Sequence, residues 1–242
     1  MVCKYTNKAG LIVAEVPVLA LDGPGGSGKG TGASRIAILR HWRILDSGAL
    51  YRAFAFRAQE LGVLPDDLPG IQRVLAETNF DFSVKKTGEV GILVNGNDVT
   101  TALRSPDAGL AASTYASKQP VRECLISSQR FERHAPGLVA DGRDMGTVVF
   151  PDATLKVFLT GTLKIRALRR YKQLMEKGFS ATLAAVEQEV SARDEKDRNR
   201  AVSPLEPAKD AVILDTSEIG IGQVVKKVDE LLTAKLAQSN NG

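Results

Sequence analysis

Nine consecutive residues carry the clearest chemistry in this chain: Gly23, Pro24, Gly25, Gly26, Ser27, Gly28, Lys29, Gly30 and Thr31, in the spacing G-x-x-x-x-G-K. Glycine is needed where a backbone takes up positive φ and must approach a ligand without a Cβ in the way, so that successive N–H groups point inward at phosphate oxygens. Lys29 is placed to reach the β- and γ-phosphates of a nucleotide, and Thr31 to offer its hydroxyl to Mg2+, partly through water. The apolar run Val18 to Leu21 precedes the loop, and Ala33, Ile36, Ala37 and Leu39 follow in rough helical order. That is the strand, loop and helix setting such a motif requires, with the positive end of the helix at the phosphate.

Transfer or binding of phosphate asks for positive charge, and the arginines are distributed accordingly. Ten of the seventeen lie between Arg122 and Arg200, and the guanidinium fork matches phosphate bidentately. Arg52 falls in the first turns of a helix that Asp46 or Ser47 can cap. Arg143 and Asp144 follow the buried run Gly137 to Ala140, at a strand's carboxyl end, where open α/β sheets bind ligands. Arg166, Arg169 and Arg170 share one helix face at i, i+3 and i+4. The stretch A-R-D-E-K-D-R-N-R from Ala192 reads either as a solvated face laced with i, i+4 pairs or as a helix side presenting Arg193 and Arg200 with Asp197 between them.

Other partners fit less well. The net charge of +4 suits a phosphorylated ligand or mere solubility, but acidic residues interleave with the arginines and only 5% of residues are aromatic, so nucleic acid is not expected. Two cysteines, Cys3 and Cys124, and two histidines, His41 and His134, are too few and too scattered for a metal cage or a disulfide framework. No apolar run reaches membrane-spanning length and Met1 to Gly10 has no signal-peptide core, so the expectation is a cytoplasmic protein with no membrane partner.

The elements that must position these groups follow from length and pattern. A chain of 242 residues, 43% hydrophobic, has room for one α/β core with an insertion or for two small domains. Met1 to Glu15 reads as a poorly ordered extension. Gly62 to Gly70 is a turn-rich break, after which Phe80 to Val84 and Val90 to Val94 read as strands. Gly88 marks a turn, and Asn95-Gly96 a tight turn into Asp98 to Thr100. This predicts a small antiparallel meander inserted into the α/β chain and lying over the crevice as a movable substrate domain. Helices are predicted over Pro106–Ser117, Pro120–His134, a segment capped by Thr160 or Thr162 and ended by Gly178, Thr182–Arg198 and Ile219–Leu236. Further strands are predicted at Arg43–Leu45, Leu155–Leu159 and Ala211–Leu214, and a disordered polar tail closes the chain.

The G-K-G-T ending of the loop resembles nucleoside monophosphate kinases more than GTPases or helicases. Three further motifs sharpen the likeness: L-D-S-G-A-L-Y-R at Leu45, D-G-R-D-M-G-T-V-V-F-P-D-A at Asp141 and R-D-E-K-D-R-N-R at Arg193. Together the four resemble the bacterial cytidylate kinase family from about Pro17 to Leu236. The resemblance implies a phosphate-loop NTPase-type parallel sheet flanked by helices, with residues 16–62 and 101–242 as the core, a helical lid at about 160–200 and residues 63–100 as an inserted nucleoside-monophosphate-binding unit. It implies ATP as donor, Mg2+ as cofactor and CMP or dCMP as acceptor; nothing in the sequence demands a dimer, so a monomer is expected. The positions Ser47, Arg52 and Arg143 would place the monophosphate, and Ser113, Arg122 and Asp144 would face the cytosine. Arg193, Asp197 and Arg200 would contact pentose and phosphate, and Arg169 and Arg170 would lie near the donor phosphates. The start of the lid, Thr160 to Ile165, is less acidic than is usual in that family. Two alternatives are a kinase for UMP, AMP or another small acceptor and a GTPase-like switch; the latter needs a guanine-selecting N-K-x-D segment, which the sequence lacks.

Overall fold

The computed structural model describes residues 16–84, 90–176 and 178–239. The N-terminal extension, the predicted turn at Gly88 and residues 240–242 of the polar tail fall outside them, while the final helix runs on past Leu236 to Ser239. A five-stranded parallel sheet forms the centre, in the order β2 (Arg43–Asp46), β6 (Leu138–Asp141), β1 (Val18–Asp22), β7 (Leu155–Thr160) and β8 (Val212–Asp215). β1 is buried on both faces, as an uninterrupted apolar run in a parallel sheet should be. Its Leu19 and Leu21 pack with Ile36 of α1 (Lys29–Arg40) and Val224 and Val228 of α8 (Ile221–Ser239). Val18 and Ala20 face the opposite layer, with Met145 and Phe150.

A second body of packing surrounds α2 (Ser47–Glu60). Phe54, fully buried, meets Tyr115 edge to face with ring centroids 5.8 Å apart, and Leu125 and Ile71 close the cluster from α5 (Gln119–Phe131) and α3 (Leu68–Glu77). Tyr115 belongs to α4 (Pro106–Ala116). The antiparallel sheet β3 (Phe80–Val84), β4 (Val90–Val94) and β5 (Asn97–Asp98) lays Ile92 and Val94 on Ala49 and Ala53 of α2.

Helix α3 lies where sequence reading expected a break. Its start explains the confusion: Pro69 occupies the first turn, where no N–H is required, and Asp67 caps by accepting from Gly70 N at 3.1 Å. A Cβ on Gly70 would sit 2.2 Å from that carboxylate, so the Pro, Gly and Asp that read as turn signals are the signals of a helix start. The strand after Asn95-Gly96 is shorter than expected, with only Asn97 and Asp98 paired.

The α6 (Leu163–Glu176) and α7 (Leu183–Arg198) helices form a hairpin that buries Ala167, Leu174, Val186 and Val190. No helix among the described residues is long and apolar enough to cross a membrane. Truncating Phe54 removes the centre of the α2 cluster, so Phe54→Ala should lower unfolding free energy by about 3–5 kcal/mol, measured by urea titration.

Candidate active site

The phosphate loop is shaped by contacts that only glycine permits. Gly23 has φ 141°, and a Cβ there would lie 2.0 Å from the Leu159 carbonyl oxygen of the neighbouring strand. Gly26 and Gly28 also have positive φ, and Gly28 caps α1 with no side chain of its own, leaving the first-turn amides to face outward. Ser27 turns inward and donates to the Pro24 carbonyl at 3.0 Å. Lys29 is buried and its Nζ donates to the same carbonyl at 2.8 Å. Burial and the Arg143 guanidinium push the Lys29 pKa down, opposed by the Asp141 and Asp22 carboxylates.

Beside Lys29 opens a cavity of about 330 Å3. It brings together Gly25, Gly26, Gly28, Lys29, Gly30 and Thr31 of the loop with Ser47, Arg52, Ser113, Arg122, Arg143, Asp144, Arg193, Asp197 and Arg200. Gly23, Pro24 and Ser27 shape the loop without lining this cavity.

Strand ends and helix starts supply the far wall. Asp46 ends β2 and caps α2 by accepting from Ala49 N at 2.8 Å, which sets Ser47, Tyr51 and Arg52 on the turns facing the loop. Ser47 donates to Gln129 Oε1 of α5 at 2.8 Å, both groups being buried. Arg52 lies 3.7 Å from Asp46. Arg122 is buried, with one nitrogen on Asp144 Oδ2, one on the Ala116 carbonyl at 3.1 Å and Nε on Ser203 Oγ at 3.3 Å. It also stacks over the Tyr51 ring, 5.6 Å from the centroid.

On the remaining wall Arg143 Nε donates to Asp197 Oδ2 at 2.9 Å. Burial would lower the Arg143 pKa, but the Asp197 carboxylate raises it. Burial pushes Asp197 up, and Arg143 and Arg200 more than reverse that. Arg193 touches solvent at the cavity mouth, yet surrounding protein and the neighbouring Arg143 lower it to about 10, with Asp197 opposing. Arg200 does not share a helix face with Arg193 and Asp197, as i, i+7 spacing suggested. α7 ends at Arg198, and the chain turns so that Arg200 enters the cavity from beyond the helix, its Nε on the Asp197 carbonyl at 3.3 Å. Tyr51 Oη, Arg52 Nε and Arg200 Nη2 are buried without a hydrogen-bond partner among the described residues, and all three side chains belong to this cavity. Groups of that kind mark a place built for polar ligand atoms.

A second cavity of about 680 Å3 adjoins the first through Gly25, Gly26, Gly30, Thr31, Arg52 and Arg193, and includes Arg170. Arg169 lines neither cavity; it lies behind the loop, donating to Thr216 Oγ1 at 2.9 Å and to the Gly26 carbonyl at 3.4 Å.

Sequence reading gave no role in the site to four residues that the site depends on. Asp22 ends β1 and accepts from Met145 N and Gly146 N, both at 2.8 Å, so it ties the phosphate loop to the π-helical turn Met145–Val149 that follows Arg143 and Asp144. Asp141 ends β6 against Gly30 and is pushed up by burial, with Lys29 opposing. Gln129 orients Ser47, and Arg166 is buried beneath the loop. The two aspartates carried a signal, each closing an apolar run, and Arg166 carried one in its spacing with Arg169 and Arg170; Gln129 carried none.

A phosphate loop at the carboxyl edge of a parallel sheet, opposite an arginine-lined cavity, defines a phosphate-loop kinase. Residues 19–234 match the family model described as cytidylate kinase. The chain is 48% identical to a cytidylate kinase of Pseudomonas entomophila (strain L48) over 89% of its length and 95% of the relative's. It is 46% identical to one of Cupriavidus pinatubonensis (strain JMP 134 / LMG 1197), over 90% and 97% of the two chains. The chain belongs to the cytidylate kinase family.

Burial raises Asp22 to about 6, with the two amides opposing. Between the unfolded value near 3.8 and about 6 the folded state holds more protons than the unfolded one, so this group's contribution to stability falls as pH rises through that window. Asp22→Asn does not titrate. Urea unfolding at pH 4 and pH 7 should show the variant gaining on the wild type by about 2–3 kcal/mol, at ~1.4 kcal/mol per pH unit.

Proposed function

We propose that the protein transfers the γ-phosphoryl group of ATP to CMP or dCMP, giving ADP and CDP or dCDP, as a monomeric cytoplasmic enzyme of pyrimidine nucleotide metabolism with neither nucleic acid nor membrane as partner. The observation that carries this reading is the convergence on one cavity of the phosphate loop, four arginines and the Arg122–Asp144 pair.

The acceptor is itself a phosphate anion, so the reaction calls for charge neutralisation and alignment rather than for a side-chain base. In this reading the loop residues Gly23, Pro24, Gly25, Gly26, Ser27, Gly28, Gly30 and Thr31 hold the ATP phosphates, and Lys29 spans the β- and γ-oxygens. Ser47, Arg52, Arg143 and Arg200 fix the acceptor phosphate, and Asp197 with Arg193 receives the pentose. As the transferring group spreads charge over its oxygens, Lys29, Arg143, Arg193 and Arg200 stabilise it. Arg170, at the cavity that continues past the loop, suits a donor phosphate. Residues 63–100 act as the inserted acceptor-binding unit and residues 160–200 as the lid, which together exclude water from a group that would otherwise be hydrolysed.

The residues fit Mg2+. Thr31 is exposed beside Lys29, Asp141 stands against Gly30, and no group of three His, Cys, Asp or Glu side chains forms a cage among the described residues. A site with few protein oxygens suits an ion that keeps waters and binds through substrate phosphates. Thr31 would hold it, partly through water, and the ion would neutralise β- and γ-oxygens.

Lys29→Ala should lower turnover about a hundredfold, roughly 3 kcal/mol of transition-state stabilisation, with an unchanged circular-dichroism spectrum. A folded variant of near-normal activity would remove the loop from the reaction.

Cytosine presents an amino donor at N4 and acceptors at N3 and O2, which a carboxylate at Asp144 and donors at Arg122 and Ser113 complement. Uracil reverses the N3 and N4 positions, leaving buried groups unpaired at about 1–3 kcal/mol each. A coupled ADP-release assay should give kcat/KM at least tenfold higher for CMP than for UMP. Asp144→Ala also strips buried Arg122 of its partner, so Asp144→Asn is the cleaner variant: its amide can donate to the uracil O4, and the CMP to UMP ratio should narrow. A ratio identical to wild type in both variants would mean that Asp144 does not read the base.

A further inference from the structure

Behind the phosphate loop, lining neither cavity, sits a buried cation that the reaction scheme above leaves unused. Arg166 of α6 is 3% exposed. Its three guanidinium nitrogens reach three separate segments: Nε donates to the Gly161 carbonyl at 2.9 Å where the chain leaves β7, Nη1 to the Gly25 carbonyl at 3.0 Å in the loop, and Nη2 to Asp194 Oδ2 at 2.5 Å on α7. The loop also rests directly on this turn of α6, because a Cβ at Gly26 would lie 2.7 Å from the Arg166 carbonyl oxygen.

A trans peptide points its C=O and the following N–H in opposite directions. Holding the Gly25 carbonyl toward α6 therefore turns the Gly26 N–H away from α6, toward the cavity that Gly25 and Gly26 line. The next two carbonyls are held from the same outer side. Arg169 reaches Gly26 O at 3.4 Å, and the buried Thr216 hydroxyl reaches Ser27 O at 3.0 Å. The same hydroxyl lies 2.9 Å from Thr160 O, so its one proton is shared between that carbonyl and the loop. Arg166, Arg169 and Thr216 thus form a collar that orients the amides of Gly26, Ser27 and Gly28. The Asp194 contact extends the collar to α7, where Asp194 borders the second cavity and its helix neighbours Arg193 and Asp197 face the first.

We propose that Arg166 is a positioning residue for phosphoryl transfer: one buried guanidinium aims the loop's amides at the donor phosphates and at the same time fixes α7, so that the acceptor contacts of Arg193 and Asp197 are set against the same reference. A guanidinium is suited to this because its nitrogens are rigidly spaced in one plane, whereas an ammonium on a flexible stem cannot hold three fixed directions together. The inference deepens the reading of the cavity as a phosphoryl-transfer site and rests on it.

Two conservative variants of the full chain separate the two arms. Arg166→Lys keeps a charge for Asp194 but releases the loop, so the dissociation constant for ADP, measured by calorimetry, should rise at least tenfold and kcat fall at least tenfold, with KM for CMP within threefold of wild type. Asp194→Asn keeps Arg166 on the loop but loosens α7, so KM for CMP should rise about tenfold while ADP affinity stays within threefold. Thermal unfolding verifies that each variant is folded at the assay temperature. The crossed pattern supports the proposal, because a general loss of stability moves both ligands together. Any other pattern in folded variants overturns it. If Arg166→Lys does not fold, Thr216→Val takes its place: weakened ADP binding supports the collar, and wild-type ADP binding overturns it. Wild-type activity is the separate control. Absence of transfer to CMP by the wild type would sink the site reading, and the ADP titrations would still decide whether the loop is oriented from behind.

Discussion

Lys29, Arg52, Arg143, Arg193 and Arg200 converge on one cavity, and their mutual repulsion is the constraint on which the rest of the structure depends. Two such charges about 6 Å apart repel by about 3 kcal/mol at an effective dielectric of about 20, so five cannot be held together without partners. The fold answers with carboxylates placed one by one. Asp197 pairs with Arg143, Asp46 stands by Arg52, and Asp22 and Asp141 offset Lys29. The balance is incomplete: Arg193 remains depressed by the surrounding protein and its cationic neighbours, and Arg52 and Arg200 keep buried nitrogens with no hydrogen-bond partner among the described residues. That residual positive potential is what an anionic phosphate relieves.

Sheet register delivers much of this compensation. Pairing of β6 with β1 sets Leu21 beside Asp141, and pairing of β6 with β2 sets Asp46 beside Asp141. Three strand ends, at Asp22, Asp46 and Asp141, therefore reach the same edge of the sheet together. Side chains one residue further along, in the turns, become the site. Because the strands are parallel, their carboxyl ends all open at that edge, and the phosphate loop, the capped start of α2 and the Arg143 turn are neighbours for the same reason. Asp22 then joins two of these turns through the Met145 and Gly146 amides, so the phosphate loop and the Arg143 turn are tied together by one buried carboxylate.

Much of this was legible in the chain. The glycine spacing announced a loop with inward amides, since no other residue tolerates φ near 141° at Gly23 with a neighbouring carbonyl where a Cβ would be. Alternation and apolar runs located all five strands of the main sheet and the two longer strands, β3 and β4, of the small one. Less legible were features whose signals have two meanings. Pro69 and Gly70 look like a break and are the first turn of α3, because both residue types also serve at helix starts. Arg200 fits the helical spacing of Arg193 and Asp197, yet lies past the helix end, because a periodicity says nothing of where a helix stops.

The sequence by itself determined the phosphate loop, the parallel α/β class and the set of arginines and aspartates available to the site, because these follow from residue type and short-range spacing. Only the tertiary structure decided which cations are compensated and which are left for a ligand. Arg122 and Arg166 are buried with Asp144 and Asp194 as partners, Arg169 stands behind the loop, and Arg52 and Arg200 face the cavity with nitrogens unmatched among the described residues. Each of those outcomes depends on a neighbour from a different element of the fold, and charge pairing acts over a few ångströms of space whatever the distance along the chain.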